Sequence, residues 1–183
     1  MSNKPGKTQD LIDAKFLKER KIFLWGEVND KSAKHVIDRL LYLDMEGDKE
    51  IQFFINSPGG YVTDGFAIYD TMQSLNSPVS TICSGLAASM GSILLSGGTK
   101  GRRFIQTHGK VMIHQPMGGA RGQASNIEIQ ANEILKTREL SAKILAENCG
   151  QTPEKVLKDF NRDYWMDAQE SQDYGIVDGI FNK

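Results

Sequence analysis

Apolar and polar positions along this chain switch between two periods, and the switching predicts alternating strands and helices. Lys21–Val28 (KIFLWGEV) is a strand-like apolar run, and Ser32–Met45 follows with Ala33, Val36, Ile37, Leu40, Leu41 and Tyr42 at helical spacing. Ile51–Ile55 (IQFFI) is a short buried-strand run that stops at Asn56-Ser57-Pro58-Gly59-Gly60. Tyr61–Leu75 reads as a helix, Pro78–Cys83 (PVSTIC) as a third strand, Ala87–Leu95 as a small-residue helix and Lys110–His114 (KVMIH) as a fourth strand. This rhythm predicts an α/β fold of repeated β-α-β units around a largely parallel sheet.

Two segments leave the rhythm. Gln115–Ser125 (QPMGGARGQAS) is Gly- and Ala-rich and offers little to a core, and Asn126–Asn148 is a long helical stretch. Such a helix either projects toward a partner or lies across its own core, and periodicity does not separate the two. Local signals are cleaner toward the end. Thr152-Pro153-Glu154 is an N-cap with proline at the first helical position. Asp167 with Glu170 is a capping box, Gly175 ends that helix, and Ile176–Phe181 is a last strand. No repeat and no linker marks a second domain, so residues 17–183 form one unit after a flexible N-terminal segment, 1–16.

Composition narrows the classes of function. The net charge of −1 and short basic runs such as Lys100-Gly101-Arg102-Arg103, read as solvated element ends, argue against nucleic acid as a partner. No run reaches 18 apolar residues and the N-terminus lacks an apolar leader core, so neither membrane nor secretion is expected. Cys83 and Cys149 are isolated, which suits reduced thiols in a cytoplasmic protein and gives no metal-ligand spacing.

Of three histidines, His35 reads as a surface residue, His108 lies in a turn, and His114 ends an apolar strand where an imidazole can enter a cleft at the sheet edge. Ser89, in Gly85-Leu86-Ala87-Ala88-Ser89-Met90-Gly91, sits at a strand-to-helix junction. There it is either a nucleophile offered beside free backbone N–H groups or one more small packing residue. Gly59-Gly60 is either a plain turn or a place where the backbone aims an N–H into a cleft. Gly60 with Met90 would then supply the two donors of an oxyanion hole. Local chemistry does not choose a carboxylate among the 23 acidic residues.

Leu17–Leu24 (LKERKIFL), INSPGG at 55–60, GLAASMG at 85–91, VMIHQP at 111–116 and NRDYWM at 161–166 resemble, in order and spacing, the ClpP family of proteolytic subunits. The resemblance runs from about Leu17 to Phe181. It implies a ClpP/crotonase-like fold with a projecting handle, strand plus long helix, at about 115–148. It implies a serine endopeptidase with Ser89 as nucleophile, His114 as base, Asp163 as the carboxylate and Gly60 and Met90 as oxyanion donors. It further implies seven-membered rings stacked in pairs and fed unfolded polypeptide by an AAA+ ATPase. ATP is used by that partner, and the chain itself needs no cofactor or metal.

Some positions depart from the family pattern. Gln52, Ser74 and Ser84 are polar where the family carries apolar docking contacts, while Phe54, Ile82 and Phe181 stay apolar. Asn161 stands where an acidic residue is common beside Arg162. These departures suggest a subunit that docks its ATPase weakly and works in a mixed particle with a second ClpP. The alternatives from other classes are a non-catalytic scaffold subunit and a crotonase-like acyl-CoA enzyme.

Overall fold

A computed structural model of the chain describes residues 6–119 and 121–181. The α/β expectation is met. Strands β1 (Lys21–Trp25), β2 (Ile51–Ser57), β3 (Val79–Ala88), β4 (Arg103–Gln106) and β7 (Gly179–Phe181) pair in the order β1-β2-β3-β4-β7, all parallel. β5 (Lys110–Ile113) pairs parallel with the far half of β3, and β6 (Tyr164–Met166) runs antiparallel to β5.

Alternation buries one side of β1 and β2: Ile22 and Leu24, then Ile51, Phe53 and Ile55. On that core lie α2 (Asp30–Met45), through Ala33, Val36, Leu40 and Leu43, and α3 (Val62–Ser74), through Ile68 and Met72. The short helix α4 (Met90–Ser96) is buried along its whole length. Asn29 caps α2, its side chain accepting from Lys31 and Ser32 N–H while the Ser32 hydroxyl accepts from Asn29 N–H. The foreseen caps are present: the Thr152 hydroxyl accepts from Lys155 N–H at the start of α6 (Pro153–Asp159), Asp167 and Glu170 form a capping box on α7 (Ala168–Tyr174), and Gly175 ends α7 at φ +92°.

β3 runs five residues beyond its expected end at Cys83 because the chain bends rather than turns at Gly85, φ +96°. There the Asn56 side chain accepts from Leu86 N–H and the pairing with β2 shifts register. The bend lets β3 pair with β4 before it and β5 after it.

Several expectations need correction. Residues 6–16, expected within a flexible segment, belong to helix α1 (Gly6–Lys18), whose Phe16 ring packs 4.8 Å from Phe23. No strand forms between Ile113 and Ala124 among the described residues, since that segment finds no strand partner within one chain. The long helix is present as α5 (Ala124–Cys149). Its last third packs on the core through Ala142, Leu145, Ala146 and Cys149, while its first ten residues are exposed. β4 and β6 had no signal in the apolar pattern, and Arg103, read as a solvated element end, is buried against Asp178.

Candidate active site

The carboxyl ends of β1, β2, β3 and β5 meet at one edge of the sheet, and the residues that follow them line one cleft of about 330 Å³: Glu27, Pro58, Gly59 and Gly60, Ser89, and His114, closed by Val62, Pro116 and Met117. Register explains the convergence. Ala88 pairs with Met112, and Ser89 N–H donates to Met112 O at 2.8 Å, so Ser89 and His114 leave adjacent parallel strands side by side. Ile113 pairs with Tyr164 in the antiparallel β5–β6 ladder, so the next opposed pair is His114 and Asp163. Their side chains meet at 3.5 Å between Nδ1 and Oδ1, longer than a good hydrogen bond. His114 is largely enclosed, with 12% of its side chain exposed, whereas Asp163 is 62% exposed. Among the described residues no hydrogen bond joins the Ser89 hydroxyl to His114.

Ser89 holds φ +54° and ψ −122°, a backbone state that costs a non-glycine residue on the order of 1–3 kcal/mol. The turn is fixed by the Met112 bond and by Ser92, whose N–H and hydroxyl both donate to Ser89 O at 2.9 and 2.6 Å. It also needs Gly59 beneath it. A Cβ on Gly59, φ +91°, would stand 2.7 Å from Ser89 Cβ and 2.9 Å from Met90 N. Gly59→Ala is therefore expected to destabilise the fold by about 2–4 kcal/mol through the positive φ and the clash, read as a lower denaturant midpoint.

The Gly59–Gly60 turn is held against β1's extension. Val28 N–H donates to Gly59 O at 2.8 Å and Tyr61 N–H to Val28 O at 2.9 Å, so Gly60 is bridged through its neighbours and its own N–H faces the other way. Met90 is the first residue of α4, so its N–H has no helical partner. Neither N–H donates to another described group. The loop before Asp163 is tied back by Gln115, whose N–H donates to Phe160 O at 2.6 Å and whose side-chain amide donates to Asn161 O at 3.0 Å.

The sheet thus brings together all five residues singled out in the sequence: Ser89, His114 and Asp163, with Gly60 and Met90 beside them. Glu27, Val62 and Met117 had no sequence signal, because they join the cleft only through tertiary contacts. His35 and His108 lie outside it. His35 sits on α2, where partial burial and then the Arg39 charge push its ring down from the ordinary value. Burial pushes the Cys83 and Cys149 thiols up to about 12, so neither is a thiolate near neutral pH. Among the described residues no cluster of His, Cys, Asp or Glu suits a metal ion, and no helix is long and apolar enough to cross a membrane.

A largely parallel sheet wound with helices, with a cleft at the carboxyl ends of its strands, makes this chain an α/β protein of the kind in which ligands commonly bind at that edge. The family follows from comparison with family models: the one described as Clp protease matches residues 4–183, and the chain belongs to that family. The mixed sheet and its helices agree with the ClpP fold, and the family is one of serine peptidases that form ring assemblies and act with ATPase partners.

Proposed function

We propose that this chain is a serine endopeptidase subunit that cleaves unfolded polypeptide by an acyl-enzyme route. The observation that carries the reading is the strand register, which sets Ser89 beside His114 in one cleft and Asp163 opposite His114. Ser89 Oγ attacks the peptide carbonyl carbon while His114 takes the hydroxyl proton. The tetrahedral oxygen is held by the N–H groups of Gly60 and Met90, and His114 then protonates the leaving amine. Water, deprotonated by the same imidazole, clears the acyl group from Ser89. Asp163 holds the ring by its Nδ1 side and stabilises the imidazolium.

The assembly reading is that the chain forms seven-membered rings stacked in pairs, fed by an AAA+ unfoldase that consumes the ATP. The exposed first half of α5 and the Gly-rich segment before it support a contact made between subunits. Exposed Asp163 and the 3.5 Å approach to His114 support a site that tightens when subunits meet. Polar Gln52, Ser74 and Ser84 support weak ATPase docking and a mixed particle with a second ClpP.

The test is hydrolysis of a fluorogenic peptide and of a fluorescently labelled unfolded protein by the purified particle, beside an acyl-CoA turnover assay. Peptide cleavage without acyl-CoA turnover is the expected result. Acyl-CoA turnover would instead favour the crotonase-like reading, and no turnover of any kind by the mixed particle would favour the scaffold.

A further inference from the structure

Among the described residues that line the cleft holding Ser89 and His114, Glu27 is the one carboxylate; Asp163 meets His114 but is not part of that lining. Glu27 lies two residues beyond the end of β1 and one before Val28, whose N–H donates to Gly59 O and whose O accepts from Tyr61 N–H. Relative to Gly60, those two hydrogen bonds fix where the Glu27 backbone stands. Its main-chain oxygen is used, accepting from the Ser32 hydroxyl at 2.8 Å. Its carboxylate makes no ion pair or hydrogen bond among the described residues. The rest of the wall is Pro58, Val62, Pro116 and Met117, with no Lys or Arg lining it. A chain threading this cleft therefore meets a largely apolar wall whose described lining carries one unpaired carboxylate, that of Glu27.

We infer that Glu27 sets substrate preference, favouring cleavage where a Lys or Arg side chain of the polypeptide lies beside Gly59–Gly60. The inference rests on the peptidase reading above and adds a charge rule to it. An ion pair of this kind at a half-open cleft changes kcat/KM by roughly three- to ten-fold, and screening by salt weakens it. Uncharged side chains pass on apolar contact alone, and Asp or Glu at that subsite is disfavoured.

The experiment digests a mixed-sequence peptide library with the assembled full-length chain and reads the residues around each cut by mass spectrometry. A fluorophosphonate label on Ser89 reports whether the site is intact in each sample. Lys and Arg should exceed Asp and Glu by roughly three- to ten-fold at one position flanking the bond in low salt, and the excess should shrink at high salt. Glu27→Gln should level that position and Glu27→Lys should reverse its sign, with Ser89 still labelled. A wild-type profile flat for charge, or a basic preference that survives in Glu27→Gln, overturns the inference and leaves the peptidase reading standing. Absence of both label and cleavage in the wild type overturns the peptidase reading, and the charge rule with it.

Discussion

Ser89→Ala is expected to lower peptide hydrolysis by at least about 10³-fold without lowering stability, as activity assays and thermal unfolding of the same sample would show. On the proposed mechanism, the activity loss follows from removing the hydroxyl that attacks the peptide carbonyl. Its size is set by what the remaining backbone donors and binding can do alone. Stability holds because alanine fits the same volume and the hydroxyl makes no hydrogen bond with another described residue. The backbone strain of Ser89, φ +54°, also remains in that variant. Ser89→Gly relieves it and should be the more stable of the two by about 1 kcal/mol, with activity lost equally. Opposite movement of stability and activity at one residue is the mark of strain kept for chemistry.

Asp178→Ala is the change expected to cost the fold most, about 3–5 kcal/mol, seen as a large drop in the unfolding midpoint. Asp178 accepts from Arg103 at both oxygens, from Nη2 at 2.6 Å and from Nε at 2.9 Å, and takes the Arg103 N–H at 3.0 Å as well. The same guanidinium donates to Asn148 O at 2.8 Å, tying the end of α5 to the sheet. With 5% of its side chain exposed, Arg103 would be left as a buried, uncompensated charge. Replacing both partners by leucine should therefore cost less than removing Asp178 alone. Burial by itself would push the Asp178 carboxyl up, but the Arg103 hydrogen bonds and charge outweigh it and hold the group below its ordinary value. A carboxyl that is the stronger acid in the folded state contributes fully above its unfolded value, about pH 4, and loses that contribution as pH falls through the folded value. Wild type should weaken in that acid range by more than the double leucine variant does.

Much of this was legible in the sequence, and the gaps have physical causes. Apolar period and caps located α2, α3, α5 and α7 to within a few residues, because each depends on neighbours three or four positions away. β6 is three residues long, too short for alternation to register, yet its pairing with β5 is what sets Asp163 opposite His114. The carboxylate could thus be named only through family resemblance. Arg103 looked like a solvated end because its partner lies 75 residues on. The polar sequence of residues 1–16 gives no helical period, and in α1 the apolar Leu11 and Ile12 stay exposed while the Phe16 ring meets Phe23 and Leu17 packs on the core. For Ser89, small neighbours permitted either a nucleophile or a packing residue. The positive φ and the bond to Met112 are tertiary facts that no local pattern carries.

The central claim is that Ser89, served by His114, is the group that takes the acyl chain. Its most direct test is to treat the assembled particle with a fluorophosphonate probe and map the modified residue by peptide mass spectrometry, in wild type and in His114→Ala. The account predicts a single adduct on Ser89 that forms at least about 10²-fold more slowly without the imidazole. An adduct on another residue, or labelling of Ser89 at the same rate in both proteins, would contradict it.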